Sequence, residues 1–111
     1  MIMQVFRKFF LLSIAITLCK GVFASENLLQ GADEEYGEYL SGECVTCHQQ
    51  KGGDKGIPSI TGWDMEAFAE VMTAYKEKEL ENPVMQTVAG RLDKEQIASL
   101  ALYFGNLPSA E

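Results

Sequence analysis

Residues 43–50 read Glu-Cys-Val-Thr-Cys-His-Gln-Gln, which places two cysteines and a histidine within five positions. His48 is the only histidine of the 111-residue chain, and Cys19 is the one cysteine outside the cluster. Three familiar uses of such a cluster meet difficulties. A thiol redox pair needs a thioredoxin-like βαβ setting, and no alternating strand pattern persists anywhere in the chain. A structural zinc takes four ligands, whereas Cys44, Cys47 and His48 supply three at most. A Cys44–Cys47 disulfide would close a very small loop and so remove little entropy from the unfolded chain.

A fourth reading uses all three residues. Cys-x-x-Cys-His is the attachment sequence of a c-type haem. The two thiols add across the vinyl groups of the ring, and one helical turn between them matches that separation. The adjacent histidine offers its imidazole nitrogen to iron. A large apolar disc also gives short helices something to pack on, which a chain this small needs. The expectation is one covalent haem c, held by thioethers at Cys44 and Cys47, with His48 as an axial iron ligand.

Export fits that chemistry. Arg7 and Lys8 precede the apolar run Phe9–Leu18, and Val22-Phe23-Ala24 ends in a small residue before Ser25. Basic start, apolar stretch and small cleavage residue predict a signal peptide over 1–24 and a periplasmic protein. The run is shorter than the ~20 apolar residues of a membrane span, and Lys20 follows it. A retained N-terminal anchor is the alternative, and a lipid on Cys19 is disfavoured by the bulky Leu18 before it. Cleavage after Ala24 would leave 87 residues, remove three bases and no acid, and move the formal charge from −7 to −10. Nucleic acid, which demands a basic footprint, is excluded as a partner. A basic or neutral protein surface is easier to accommodate.

The mature chain reads as a polar, acidic and flexible lead-in over 25–33 and a single all-α domain over 34–111. Tyr36, Leu40, Cys44 and Cys47 recur at helical spacing and predict a helix over 34–47 with a break near Gly42. A glycine-rich loop follows, QQKGGDKGIPSITG, long enough to wrap around something. Asp64 caps a second helix with the apolar stripe Met65, Phe68, Met72 and Tyr75. KEKELENP is its charged end and a turn into Pro83, and VMQTVAG is ambiguous. Asp93 and Gln96 form a capping-box variant ahead of Ile97, Leu100, Ala101 and Phe104. Gly105, Asn106 and Pro108 are expected to stop that last helix. Tyr36 and Tyr103 are expected where the first and last helices meet.

A second axial ligand cannot be histidine, and methionine is the usual partner in electron-transfer cytochromes. Met65 and Met72 lie on the apolar stripe and read as core. Met85 lies between helices, in a segment read as a loop that can fold over the open haem face. It is the candidate distal ligand, against the plainer role of a loop methionine packed on the core. Iron-bound histidine donates its second ring N–H to a carbonyl, and Pro58, ten residues on, is either that acceptor or a simple turn proline. Trp63 packs on the haem edge, donates to a propionate, or is a core tryptophan. Lys51, Lys55, Lys76 and Lys78 read as ordinary solvated surface.

These residues together resemble the class I c-type cytochromes over about Tyr36–Leu107. GEYLSGECVTCH, GIPSITG, a helix ending in AYK, ENPVMQ and IASLALYF follow one another in the order of that family. The PSI-x-G loop, the NPVM segment and the closing ALA-x-YF-like run are similar to the haem subunit of flavocytochrome c sulfide dehydrogenase. This chain has one haem motif, whereas some such subunits have two. The resemblance implies three main helices and long loops wrapped around one haem. It implies thioethers at Cys44 and Cys47, His48 as proximal ligand held by the Pro58 carbonyl, and Met85 as distal ligand.

It further implies a monohaem carrier of single electrons, not an enzyme by itself. The expected donor is an FAD-containing flavoprotein subunit that oxidises sulfide, and the expected acceptor another cytochrome or an oxidase. A free soluble shuttle is the nearest alternative. A five-coordinate haem that binds a gas is the alternative of another class.

Overall fold

A computed structural model describes residues 27–51 and 56–110. The expected signal peptide, 1–24, lies outside the described residues, as does Lys55. Among the described residues the fold is all-helical: α1 Glu34–Leu40, α2 Gly42–Val45, α3 Met65–Lys76, α4 Pro83–Gly90 and α5 Lys94–Asn106. None of these helices is long and apolar enough to cross a membrane.

Short polar side chains set the helix starts. Asp33 accepts the Tyr36 N–H at 2.9 Å and Asp64 accepts the Ala67 N–H at 2.9 Å, each satisfying a backbone donor that the helix itself leaves unpaired. The capping box at α5 is complete, with Gln96 N–H donating to Asp93 at 2.8 Å and Asp93 N–H to Gln96 Oε1 at 2.9 Å. α1 pauses at Ser41 and α2 adds one more turn. The Cys47 and His48 N–H groups then both donate to the Cys44 carbonyl, at 3.2 and 2.8 Å. The turn therefore runs on through the histidine, and the break expected near Gly42 is a hesitation at Ser41.

α5 is the spine. Ile97, Leu100, Ala101 and Phe104 are buried on it, and α1 and α3 both pack against it. α1 comes close because Gly37 has no side chain. A Cβ there would run into the Ser99 carbonyl oxygen and lie 2.8 Å from Tyr103 Cβ. Ser99, fully buried, accepts the Asp33 N–H at 3.0 Å, and Gln96 Nε2 donates to Tyr36 Oη at 3.0 Å. The expected meeting of Tyr36 and Tyr103 with the opposite helix thus falls around a glycine. α3 adds Phe68, stacked on Phe104 with ring centroids 5.8 Å apart, and Met72.

The structure adds to three local readings. VMQTVAG, ambiguous in the sequence, is the helix α4, with Asn82 as its N-cap and Pro83 in its first turn. Pro belongs there because its missing N–H is one the first turn cannot use anyway. Gly105, read as a helix stop, lies inside α5, and a Cβ on it would sit 2.5 Å from Met65 Cγ. The helix ends at Asn106, and the extended backbone of Leu107, its C-cap, leads into Pro108. In the expected lead-in, residues 27–31 form a turn, and Leu28 and Leu29 pack against the core.

Candidate functional site

One face of α3, the Cys44–His48 turn, the loop 56–63 and α4 enclose a cleft of about 400 Å³. Its walls are chiefly apolar and include Ile57, Ile60, Phe68, Val71, Val84 and Val88. Cys44, Cys47, His48, Pro58, Trp63 and Met85, singled out in the sequence, all line it. The helical stripe also has a second use here. Phe68, Met72 and Tyr75 serve as core and as cleft wall at once. Met65 packs against the core and does not face the cleft.

His48 is oriented by the loop. Its Nδ1 lies 2.8 Å from the Pro58 carbonyl oxygen. A donor at Nδ1 fixes the tautomer and leaves Nε2 as the ring nitrogen with a lone pair to give. The loop is itself held. Trp63 Nε1–H donates to the Ser59 carbonyl at 3.0 Å, and Gly62 N–H donates to the Phe104 carbonyl at 2.8 Å. Trp63 meets Phe68 edge-on, with centroids 6.5 Å apart. Its N–H is thus engaged with protein, while its ring lines the cleft. Gly62 has φ +72°, and a Cβ there would lie 2.7 Å from Ser109 Cα, so the turn needs glycine both for conformation and for space.

The two thiols lie on one wall and are not bridged to each other. Burial, with the nearby Glu43 carboxylate adding to it, pushes the Cys44 thiol up from 9.0 to about 11. A redox-active or metal-binding cysteine needs the opposite, a thiol whose pKa is lowered so that the thiolate forms near neutrality. Among the described residues no group of three or more His, Cys, Asp and Glu side chains is placed to hold a metal ion. Around Cys44, Cys47 and His48 the described side chains thus assemble no zinc site.

Met85 enters the cleft from α4, not from a loop. Its backbone N–H donates to Asn82 Oδ1 at 3.1 Å, and Gln86 Nε2 donates to the Leu80 carbonyl at 2.9 Å. Met72, 5% exposed, also lines the cleft. The site therefore holds two thioether sulfurs, of which the half-buried Met85 is the less enclosed. Asn82 and Val84 were missed as cleft residues. The signal for Asn82 was available, since Asn before Pro at a helix start is a cap pattern.

The donor set and the walls fit a haem. Two thiols one helical turn apart stand beside an imidazole with one nitrogen to spare. A thioether enters from a separate helix, and the remaining walls are apolar enough for a flat hydrophobic ring. No family model matches the chain. A curated relative, the cytochrome subunit of sulfide dehydrogenase of Chlorobaculum tepidum, is 33% identical over 85 residues, which span 76% of this chain and 77% of the relative. Extent and identity together make this chain a member of the family of that cytochrome subunit.

Proposed function

We propose that the chain is a periplasmic monohaem c-type cytochrome and the electron-carrying subunit of a flavoprotein sulfide dehydrogenase. Family membership supports an electron-transfer role in place of catalysis by this chain alone. When bound, the haem supplies a one-electron couple that no side chain of the cleft provides. Every other part of the function belongs to the protein.

Cys44 and Cys47 would hold the ring by thioether bonds, so the carrier keeps its group without relying on affinity. His48 would give Nε2 to the metal. The Pro58 carbonyl keeps that ring from turning and raises its basicity. Met85 would give its thioether sulfur to the metal, and a thioether ligand favours the reduced metal and raises the potential. Ile60, Phe68, Val71 and Val88 exclude water from the cleft, which favours the less charged redox state. The observation that carries the reading is the His48–Pro58 bond at 2.8 Å in a cleft whose wall bears both cysteines.

The test begins with covalency. Protein from its native source, denatured and extracted with acidic acetone, is expected to retain its pigment and to show no free thiol at Cys44 or Cys47. Pigment lost to the solvent, with two reactive thiols left behind, would overturn the attachment. The flavin-to-haem ratio after gentle purification then addresses the partner. One flavin per haem, with haem reduced on adding sulfide, supports the flavoprotein complex. Haem without flavin supports a free shuttle.

A further inference from the structure

We propose that Lys76 is a positioning residue, a latch that holds α4 closed and so keeps Met85 on the metal. Its ammonium donates to the Leu92 carbonyl at 2.6 Å and to the Gly90 carbonyl at 3.3 Å. This corrects the reading of Lys76 as ordinary solvated surface, and it rests on Met85 being an axial ligand.

α4 has eight residues. A helix shorter than about twelve residues is not stable alone in water, so tertiary contacts must fix its position. Its N-terminal end is pinned by Asn82, which accepts the Met85 N–H, and by the Gln86–Leu80 bond. Ala89, fully buried, anchors one face. At the C-terminal end the last carbonyls have no partner within the helix and carry the negative end of its dipole. The Arg91 and Leu92 N–H groups take up the Val88 and Ala89 carbonyls, and Lys76 takes up that of Gly90 from another element. It is the last residue of α3, so its cation also lies at the negative end of its own helix. One side chain therefore ties the ends of two cleft-lining helices to the turn into α5.

The consequence for Met85 follows from rigidity. Met85 stands five residues before Gly90, roughly 7.5 Å along the axis. With the Lys76 bonds gone, the C-terminal end is held by Ala89 and the turn alone and swings more easily, with the Asn82 cap as the pivot. Swinging the rod moves Met85 with it. The latch thus sets the cost of displacing the thioether, without touching the metal or the ring.

Imidazole added to the ferric holoprotein competes with the thioether and reads that cost. Lys76→Met, which keeps the stem and removes the donors, is expected to bind imidazole about three- to tenfold more tightly than wild type, the range for one net hydrogen bond. Lys76→Arg is expected to restore the wild-type affinity, and Lys51→Met, on the exposed surface, to leave it unchanged. Amide hydrogen exchange gives a second readout. Residues 86–90 are expected to exchange faster in Lys76→Met while α5 does not. Unchanged imidazole affinity and unchanged exchange in Lys76→Met would overturn the latch alone. Absence of a sulfur-to-iron charge-transfer band in wild type would overturn Met85 as a ligand, and the latch with it.

Discussion

Trp63 donates its indole N–H to the Ser59 carbonyl at 3.0 Å, and Ser59 follows directly on Pro58, whose carbonyl faces His48. The tryptophan therefore stiffens the loop that orients the histidine. Trp63→Phe keeps a ring beside Phe68 and removes the donor. The expected cost is about 1 kcal/mol of stability, read from the denaturant midpoint. The His48 Nδ1 proton should also exchange faster in its NMR signal. An unchanged exchange rate would mean that Pro58 is held by the rest of the loop.

Two glycines in helices should respond in opposite directions. Gly37 faces the Ser99 carbonyl with no room for a Cβ, whereas a Cβ on Gly90 would meet nothing within 4 Å. Gly37→Ala must push α1 off α5 and is expected to cost about 1–3 kcal/mol. Gly90→Ala fills no occupied space and reduces the freedom of the unfolded chain, a gain of about 0.5–1 kcal/mol. Chemical denaturation of the two variants decides it, and a stable Gly37→Ala would show that the crossing has slack.

Lys78 has φ 61°, in the left-handed region, one residue past the Glu77 cap of α3. The neighbouring Glu79 N–H closes back on the Ala74 carbonyl at 2.8 Å. Glycine is the usual residue at such a helix end because it has no Cβ to clash. Lys78→Gly is expected to stabilise the fold by about 0.5–1 kcal/mol, the strain relieved being larger than the freedom gained by the unfolded chain. A lower melting temperature in the variant would mean that the lysine side chain makes up for its backbone.

What could be read from the sequence was local. Asp64 and the Asp93–Gln96 pair announce helix starts because a cap acts within four residues, and the stripe Phe68, Met72 and Tyr75 announces a buried face by its spacing. The Cys44–His48 turn carries its chemistry in five consecutive residues. Pro58 was different. A backbone carbonyl leaves no mark in the residue type, so its pairing with His48 stayed one of two readings until the resemblance favoured it. Lys76 was illegible for the same reason, since both its acceptors are carbonyls. α4 was missed because Thr87, Val88 and Gly90 are poor helix formers, and packing of Ala89 overrides their propensity. Gly37 and Gly105 look alike on paper. Only the folded chain shows that each admits a neighbour, Ser99 and Met65 respectively.

Two methionines line the cleft, and they should separate cleanly. Met72 is 5% exposed and belongs to the packed core, so Met72→Leu, nearly equal in volume, is expected to cost less than about 1.5 kcal/mol. It should leave the ferric sulfur-to-iron band and the potential close to wild type. Met85 is half-buried and stands on the short helix fixed by Asn82 and Lys76. Met85→Ala removes the proposed thioether ligand, and the band should vanish while the potential falls, because the donor that favours reduced iron is gone. The vacated position should also bind carbon monoxide readily in the reduced protein. If the band survives Met85→Ala and disappears in Met72→Leu, the axial sulfur belongs to α3, and the short helix is only a lid over the cleft.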